Sequence, residues 1–450
     1  MDDVLSALRA RLTDPSAKGV ARAVSRAVRD GTLPPGHRLP PIRSVAAALA
    51  LSPTTVSAGW ALLARAGTIR TDGRRGTTVT ETVTHAPGRY RRALERQTDF
   101  ALDLSTGVPD GRLLPSLQRS LEQLTTAGTP GGYLDEPVLP ELLGLLRADW
   151  PYDAEELTVV DGAMDALDLV SRSLLRFGDR VVVEHPCFPP LLDLLESIGA
   201  EVVGVPMDDE GLLPDALAAA LAASPTAAVF LQPRAQNPTG VSLTPARAAD
   251  LAVVLARTGV PVVEDDSAGA ISTAPDLSLG AWVPEQTVHV RSYSKSHGPD
   301  LRLAGLSGPT ELLRDALSRR QLGQGWSSRL LQRILVGLLT DDDAVAHVDR
   351  ARVEYARRRA AVVAALAGHG IDVPGSDGLN IWVPVHDETA AIVRLASQGI
   401  GVTPGTPFDV VPGGGGHIRV TTGLVPEGHE ELAATLAGAA NTSGWGDRAR

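Results

Sequence analysis

Over the first eighty residues the apolar positions keep helical spacing; beyond about residue 99 they gather into short β-branched runs separated by amphipathic stretches. Between about Ser16 and Asp30, Val20, Ala23, Val24, Ala27 and Val28 fall on one helical face, and Gly31 stops the helix. Leu33-Pro-Pro-Gly36 reads as a turn. A second short helix runs from about Pro41 to Leu49, with Ile42, Val45 and Ala46 on one side. Ser52 N-caps a third, with Pro53 at its first position and Gly67 closing it, and Val56, Trp60 and Leu63 are its core stripe. Residues 68–80 read as a hairpin with its tip at 72–76. Three helices and a ribbon predict a winged helix-turn-helix over residues 1–80.

Residues 81–98 lack a clear period, carry Arg89, Arg91, Arg92 and Arg96, and read as a linker. The body, 99–450, places strands at 157–160, 180–183, 201–205, 227–231, 260–264, 287–291 and 303–307, with amphipathic helices between them. Repeated strand and helix units predict a largely parallel, doubly wound α/β sheet. Within the body a large sheet subdomain is expected over about 130–325 and a small C-terminal subdomain over about 345–440.

Composition narrows the classes. A chain of 450 residues exceeds one ordinary core, and 43% hydrophobic with 21% charged residues is usual for a soluble globular protein. The single cysteine, Cys187, allows no internal disulfide and fits a reducing compartment. The N-terminus lacks a signal-peptide pattern and no apolar run spans a bilayer, so the expected location is the cytoplasm, away from membranes. The net charge of −11 hides an asymmetry: residues 1–96 hold 16 basic against 7 acidic side chains, or +9, and the remainder sums to −20. A basic head on an acidic body is what a DNA-binding module joined to a small-molecule domain would show.

Lysine usage points to the chemistry. Only Lys18 and Lys295 occur among 42 lysines and arginines. A surface cation tolerates replacement by arginine, but a guanidinium cannot deprotonate near neutral pH and so cannot form a Schiff base. Lys295 lies just past the run 287–291, at the C-terminal end of an expected strand, where open α/β sheets bind ligands. Ser292 and Ser294 offer hydroxyls beside it, and Arg302 a fork suited to phosphate. Ser292-x-x-Lys295 also matches a motif of penicillin-recognising serine hydrolases, but these need a later Lys-Thr-Gly, and no third lysine exists. No metal-ligand cluster is expected.

The head resembles the GntR family of transcription regulators. Leu39-Pro-Pro-Ile-Arg43-Ser-Val-Ala is similar to that family's Leu-Pro-Ser-x-Arg-x-Leu-Ala, and Ser52-Pro-Thr-Thr-Val56 to its recognition-helix start. The resemblance implies that Thr54, Thr55 and Ser57 meet a major groove, that Arg43 holds a phosphate, and that Arg74 or Arg75 reaches a minor groove from the wing. The family's usual arginine after the serine is Pro53 here.

The body resembles the fold-type I pyridoxal-phosphate enzymes, the aspartate aminotransferase superfamily, over nearly its whole length. The resemblance implies pyridoxal 5'-phosphate on Lys295, its phosphate held by Gly162, Ala163, Met164, Ser292, Ser294 and Arg302, and its phenolic oxygen bonded by Asn237 of Asn237-Pro-Thr-Gly240. It implies a ring-nitrogen carboxylate from Asp265, with Asp266 as the alternative, and a stacked ring from Phe188. Tyr133 would reach the neighbouring subunit's phosphate, and Arg419 would bind a substrate or effector carboxylate. The tyrosine such enzymes carry two or three residues after Asp265 is absent, Ser267 and Ala268 standing there, which should weaken transamination without preventing cofactor binding. Head and body in this order resemble the MocR branch of regulators. That implies a head-to-tail homodimer binding a double-stranded DNA operator and responding to an amino acid or amine, with little enzymatic turnover. The competing expectation is a working aminotransferase with a vestigial head.

Overall fold

A computed structural model describes residues 2–65, 67–71, 76–80, 88–94, 100–126, 132–411, 413 and 415–442. The chain divides into two compact units: Met1–Gly88 with Leu175–Val181 and Leu192–Val202, and Arg89–Leu174 with Val182–Leu191 and Val203–Arg450.

In the first, Ser16 Oγ accepts a bond from Gly19 N at 3.1 Å and starts the helix Ala17–Arg29. The helices Ile42–Leu49 and Pro53–Arg65 meet at a sharp turn, where Ala50 takes the left-handed conformation, φ 56°. Ser52 Oγ accepts from Thr55 N at 3.0 Å and caps the second of them. Strands β1 (Ile69–Thr71) and β2 (Thr77–Val79) are antiparallel, Ile69 opposite Val79. A further helix, Asp2–Arg11, was not among the expected elements, although Val4 and Leu8 stand one turn apart and are both buried. Leu8, Val20, Val24, Leu33, Val45, Val56, Trp60 and Leu63 make the core, each large side chain contributing about 1.5–3 kcal/mol by leaving water. Arg74 and Arg75 lie outside the described residues.

The segment expected to be a plain linker contains a short helix, Arg89–Leu94. Its neighbour β3 (Leu102–Asp103) is followed by the strands of the main sheet: β4 (Glu156–Val160), β5 (Arg180–His185), β6 (Glu201–Asp208), β7 (Gly211–Leu212), β8 (Ala228–Leu231), β9 (Val262–Asp266), β10 (Thr287–Ser292) and β11 (Ala304–Gly308). Their order is β4-β11-β10-β9-β8-β5-β6-β7. β9 runs parallel to β8 and β10, whereas β11 is antiparallel to both β10 and β4, so the sheet is mixed, and the short β7 was not expected. The near-continuous burial of β8, β9 and β10 follows from cover on both faces.

The C-terminal region adds β12 (Asn380–Pro384), β13 (Ile400–Gly401), β14 (Thr403–Pro404) and β15 (His417–Thr421); β12, β15 and β14 form one antiparallel sheet. Its core extends beyond the expected 345–440. β3 pairs in parallel with β13, and Leu104 is fully buried among Ile381, Val402, Ile418 and Leu436. Among the described residues no single helix is long and apolar enough to cross a membrane.

Candidate functional site

The loops leaving β4, β5, β8, β9 and β10 converge on Lys295, because parallel strands end on one edge and free their terminal side chains there. Lys295 is half-buried in the turn after β10, a turn closed by His297 N bonding Tyr293 O at 2.9 Å. Burial holds its amine below the ordinary lysine range, with Asp265 opposing and the Arg419 guanidinium assisting that shift.

The two carboxylates at the end of β9 lead to opposite faces, as strand alternation requires. Asp265, 2% exposed, accepts Gln232 Nε2 at 2.8 Å and the Ser267 hydroxyl, and Lys295 acts on its charge. Burial pushes its carboxyl up; those partners pull the other way. Asp266 is engaged elsewhere: Arg234 Nη2 lies 2.5 Å from it and Arg291 Nε 3.5 Å, and both arginines also pair with Asp276. Burial would raise Asp266, but these guanidiniums hold its carboxyl below the usual range. Asp265 therefore acts on the lysine more strongly than Asp266 does.

Gln232, the first residue after β8, was not singled out by its sequence position. Its Nε2 donates to Asp265, its Oε1 accepts Asn237 N at 2.7 Å, and its own N donates to Glu184 Oε2 at 3.0 Å. One amide thus orients Asp265 and Asn237 together. Glu184, at the end of β5, also takes a 3.4 Å bond from Gln236, and burial pushes its carboxyl up to about 8. Phe188 is half-buried in the loop that follows. Ser267, near the position where a tyrosine was missed, turns to Asp265, and Ala268 is buried beside Tyr355 and Leu379.

At the β4 end, Gly162 has φ 97°, and a Cβ there would come within 3.1 Å of Arg302 Nη2. Arg302, exposed and left-handed at φ 48°, bonds the Asp161 carbonyl at 3.2 Å; the Asp161 carboxylate is taken by Arg320 at 3.0 Å. Ala163 and Met164 open the helix Ala163–Leu174, so their N–H groups have no helical partners. Ser292 is buried and Ser294 half-buried, with Ser294 N 3.3 Å from Ser292 Oγ. A side-chain-free cradle, a guanidinium and helix-start donors fit a phosphate.

Arg419, on β15, is 1% exposed. Its Nη1 donates to Asn237 Oδ1 at 3.3 Å; its Nη2 donates to Tyr90 Oη at 2.7 Å, Thr403 Oγ1 at 3.1 Å and the Ser105 carbonyl. Among the described residues its Nε has no partner, and every partner the guanidinium has is neutral. A buried cation held only by neutral groups is costly, and an incoming carboxylate would relieve that cost. Tyr90 was not anticipated, because its segment has no periodicity to place it. Tyr133, in contrast, is 89% exposed, edge-on to Trp326 at 6.1 Å, and bonds none of these residues.

In the head, Arg43 is exposed on Ile42–Leu49. Thr54 and Ser57 are exposed and Thr55 half-buried at the start of Pro53–Arg65; both threonine hydroxyls lie within 2.8 Å of Ser52 Oγ.

Two family models match the chain: aminotransferase class I and II over residues 101–436, and bacterial regulatory proteins of the gntR family over 16–79. The vitamin B6 salvage pathway transcriptional repressor PtsJ of Salmonella typhimurium is 34% identical over 417 residues, 90% of this chain and 94% of the relative. The HTH-type transcriptional regulator TauR of Rhodobacter capsulatus is 28% identical over 86% of this chain and 88% of its own length. An archaeal alanine:glyoxylate aminotransferase shares the fold, with TM-score 0.70 and 22% identity over 78% of this chain and 93% of that one.

Proposed function

From the premise that this chain belongs to the class I and II aminotransferase family and carries a gntR-family head, we propose that it is a transcriptional regulator that binds DNA through the head and pyridoxal 5'-phosphate in the body, and responds to an amino acid or amine. The observation that carries the reading is Arg419, a buried guanidinium whose partners among the described residues are all neutral and whose charge reaches Lys295. An amine to engage at one end and a carboxylate to bind at the other describe an amino acid.

The fit of the cofactor rests on the cradle at Gly162 and on the polarity of Asp265. When bound, pyridoxal phosphate supplies a carbonyl for an amine and an electron-withdrawing ring. Gly162, Ala163, Met164, Ser292, Ser294 and Arg302 would hold its phosphate, Asn237 its phenolic oxygen, Asp265 its ring nitrogen and Phe188 its face. Gln232 keeps Asp265 and Asn237 in register. Lys295, held below its ordinary range by burial, keeps a larger neutral, nucleophilic fraction. Ser267 bonds Asp265, and Ala268 carries no hydroxyl, so neither would give the cofactor's phenolic oxygen the donor that favours turnover. That favours sensing over an aminotransferase with an accessory head. In the head, Arg43 is assigned to a DNA phosphate and Thr54, Thr55 and Ser57 to base edges, with Arg74 and Arg75 as wing contacts. We assign the protein to the cytoplasm and to a homodimer, head to tail, with exposed Tyr133, Leu134 and Leu322 offering a surface to a second copy.

The test has two arms. The purified protein should retain its own upstream DNA over random DNA, and borohydride should fix pyridoxal phosphate covalently in the wild type and not in Lys295→Ala. Steady oxo-acid formation without DNA retention would overturn the regulator reading. Covalent fixation in Lys295→Ala would overturn the lysine assignment, since the other lysine, Lys18, lies in the head.

A further inference from the structure

The helix Arg89–Leu94 lies in the segment that joins head to body, and through Tyr90 it enters the Arg419 site. The Tyr90 hydroxyl is 2.7 Å from Arg419 Nη2 and itself donates towards the carbonyls of Ser105, at 2.9 Å, and Thr106, at 3.1 Å. The guanidinium also stands 5.2 Å from the centre of the Tyr90 ring. We propose that Tyr90 occupies the position an amino-acid carboxylate takes on Arg419 and is displaced by it, so that the segment leading to the head reports whether the site is filled. This rests on the amino-acid reading above.

The two partners of Arg419 are unequal. A phenol oxygen takes a single bond from Arg419 as a neutral acceptor, whereas a carboxylate pairs charge with charge and can take two parallel bonds from the guanidinium. Asn237 Oδ1 and Thr403 Oγ1 belong to the body's own strands and loops, and the Ser105 carbonyl is fixed beside β3. Among its partners in the described residues, Tyr90 is the one carried by a short helix outside those sheets. Six residues are too few to hold a helix by themselves, so the order of Arg89–Leu94 depends on such tethers. Gly107, φ 67°, lies over the same guanidinium, where an added Cβ would already be 3.4 Å from both Nη atoms; space beside Arg419 is thus limited, and ligand and phenol compete for it. An amine without a carboxylate would engage the lysine end and leave Tyr90 seated, so the device separates amino acids from amines.

The probes are the proteinogenic amino acids, each beside its decarboxylated amine, applied to the full-length protein loaded with pyridoxal phosphate. Cofactor absorbance reads binding, DNA mobility reads response, and backbone hydrogen exchange reads Arg89–Leu94. In the wild type, an amino acid that shifts the absorbance should speed exchange in this helix, and its amine should not. Tyr90→Phe keeps the ring and removes the hydroxyl, so the ratio of amino-acid to amine affinity should rise about ten- to a hundredfold, the worth of one hydrogen bond to a charged group. Its ligand-free DNA affinity should shift towards the wild type's amino-acid-saturated value. Unchanged exchange in the wild type on saturation, or an unchanged affinity ratio in Tyr90→Phe, overturns the displacement while leaving the sensor reading intact. If no amino acid alters absorbance or DNA mobility in the wild type, the sensor reading falls and the displacement with it.

Discussion

Replacing Glu184 with glutamine removes one titration from beneath Asp265 and should flatten the pH dependence of stability. Burial pushes the Glu184 carboxyl up to about 8, against an ordinary 4.5. Between those values the folded protein binds a proton that the unfolded chain has released, so stability is greatest below 4.5 and falls as the pH rises through 8. From pH 6 to pH 9 about two pH units of that loss remain, roughly 2.7 kcal/mol at 1.36 kcal/mol per unit. For a cooperative unit of roughly 350 residues, an unfolding entropy near 2.1 cal/mol/K per residue turns this into about 4 °C. Glutamine keeps an acceptor for Gln232 N, now 3.0 Å from Glu184 Oε2, and imitates the protonated acid. Thermal unfolding of the cofactor-free proteins should therefore give Glu184→Gln a Tm advantage that grows by about 4 °C between pH 6 and pH 9. Titrating groups that do not couple to Glu184 are common to both proteins and cancel. Parallel pH profiles would refute the assignment of a raised pKa to Glu184, and a growing disadvantage would reverse its sign.

Gly162→Ala places a Cβ 3.1 Å from Arg302 Nη2 at a φ of 97°; strain of this kind should lower pyridoxal-phosphate affinity about tenfold in an absorbance titration, and wild-type affinity would rule out this cradle for the phosphate. Arg43→Ala should weaken operator and random DNA alike and reduce the slope of log affinity against log salt by about 1, because a phosphate contact carries no base information. Loss of operator preference with unchanged affinity for random DNA would contradict that role.

Local signals determined the elements. Ser16 and Ser52 each precede a helix because a hydroxyl satisfies an N–H that has no helical partner, and their caps form at 3.1 and 3.0 Å. The runs 228–231, 262–266 and 287–292 are strands because Val229, Phe230, Val262, Val263, Val288 and Val290 suit a surface buried on both faces. Lys295 was legible by chemistry, as a lysine kept where arginine is otherwise used. The helix Asp2–Arg11 has its local signal in the spacing of Val4 and Leu8.

What the linear chain could not decide is which distant groups meet. Alternation puts Asp265 and Asp266 on opposite faces of β9, but only the packed sheet sends Asp266 to Arg234 and Arg291 and leaves Asp265 for Gln232 and Lys295. Leu104 joins the C-terminal core because β3 pairs with β13, some three hundred residues on, a pairing no local period reveals. Glu184 keeps its proton because closure of the fold around it removes water, not because of its sequence neighbours. Tyr90 and Arg419, 329 residues apart, share a hydrogen bond that exists only once strand register and loop path are set. Residue type and spacing specify what a segment can become, whereas burial and contact across the sheet specify what its side chains can do.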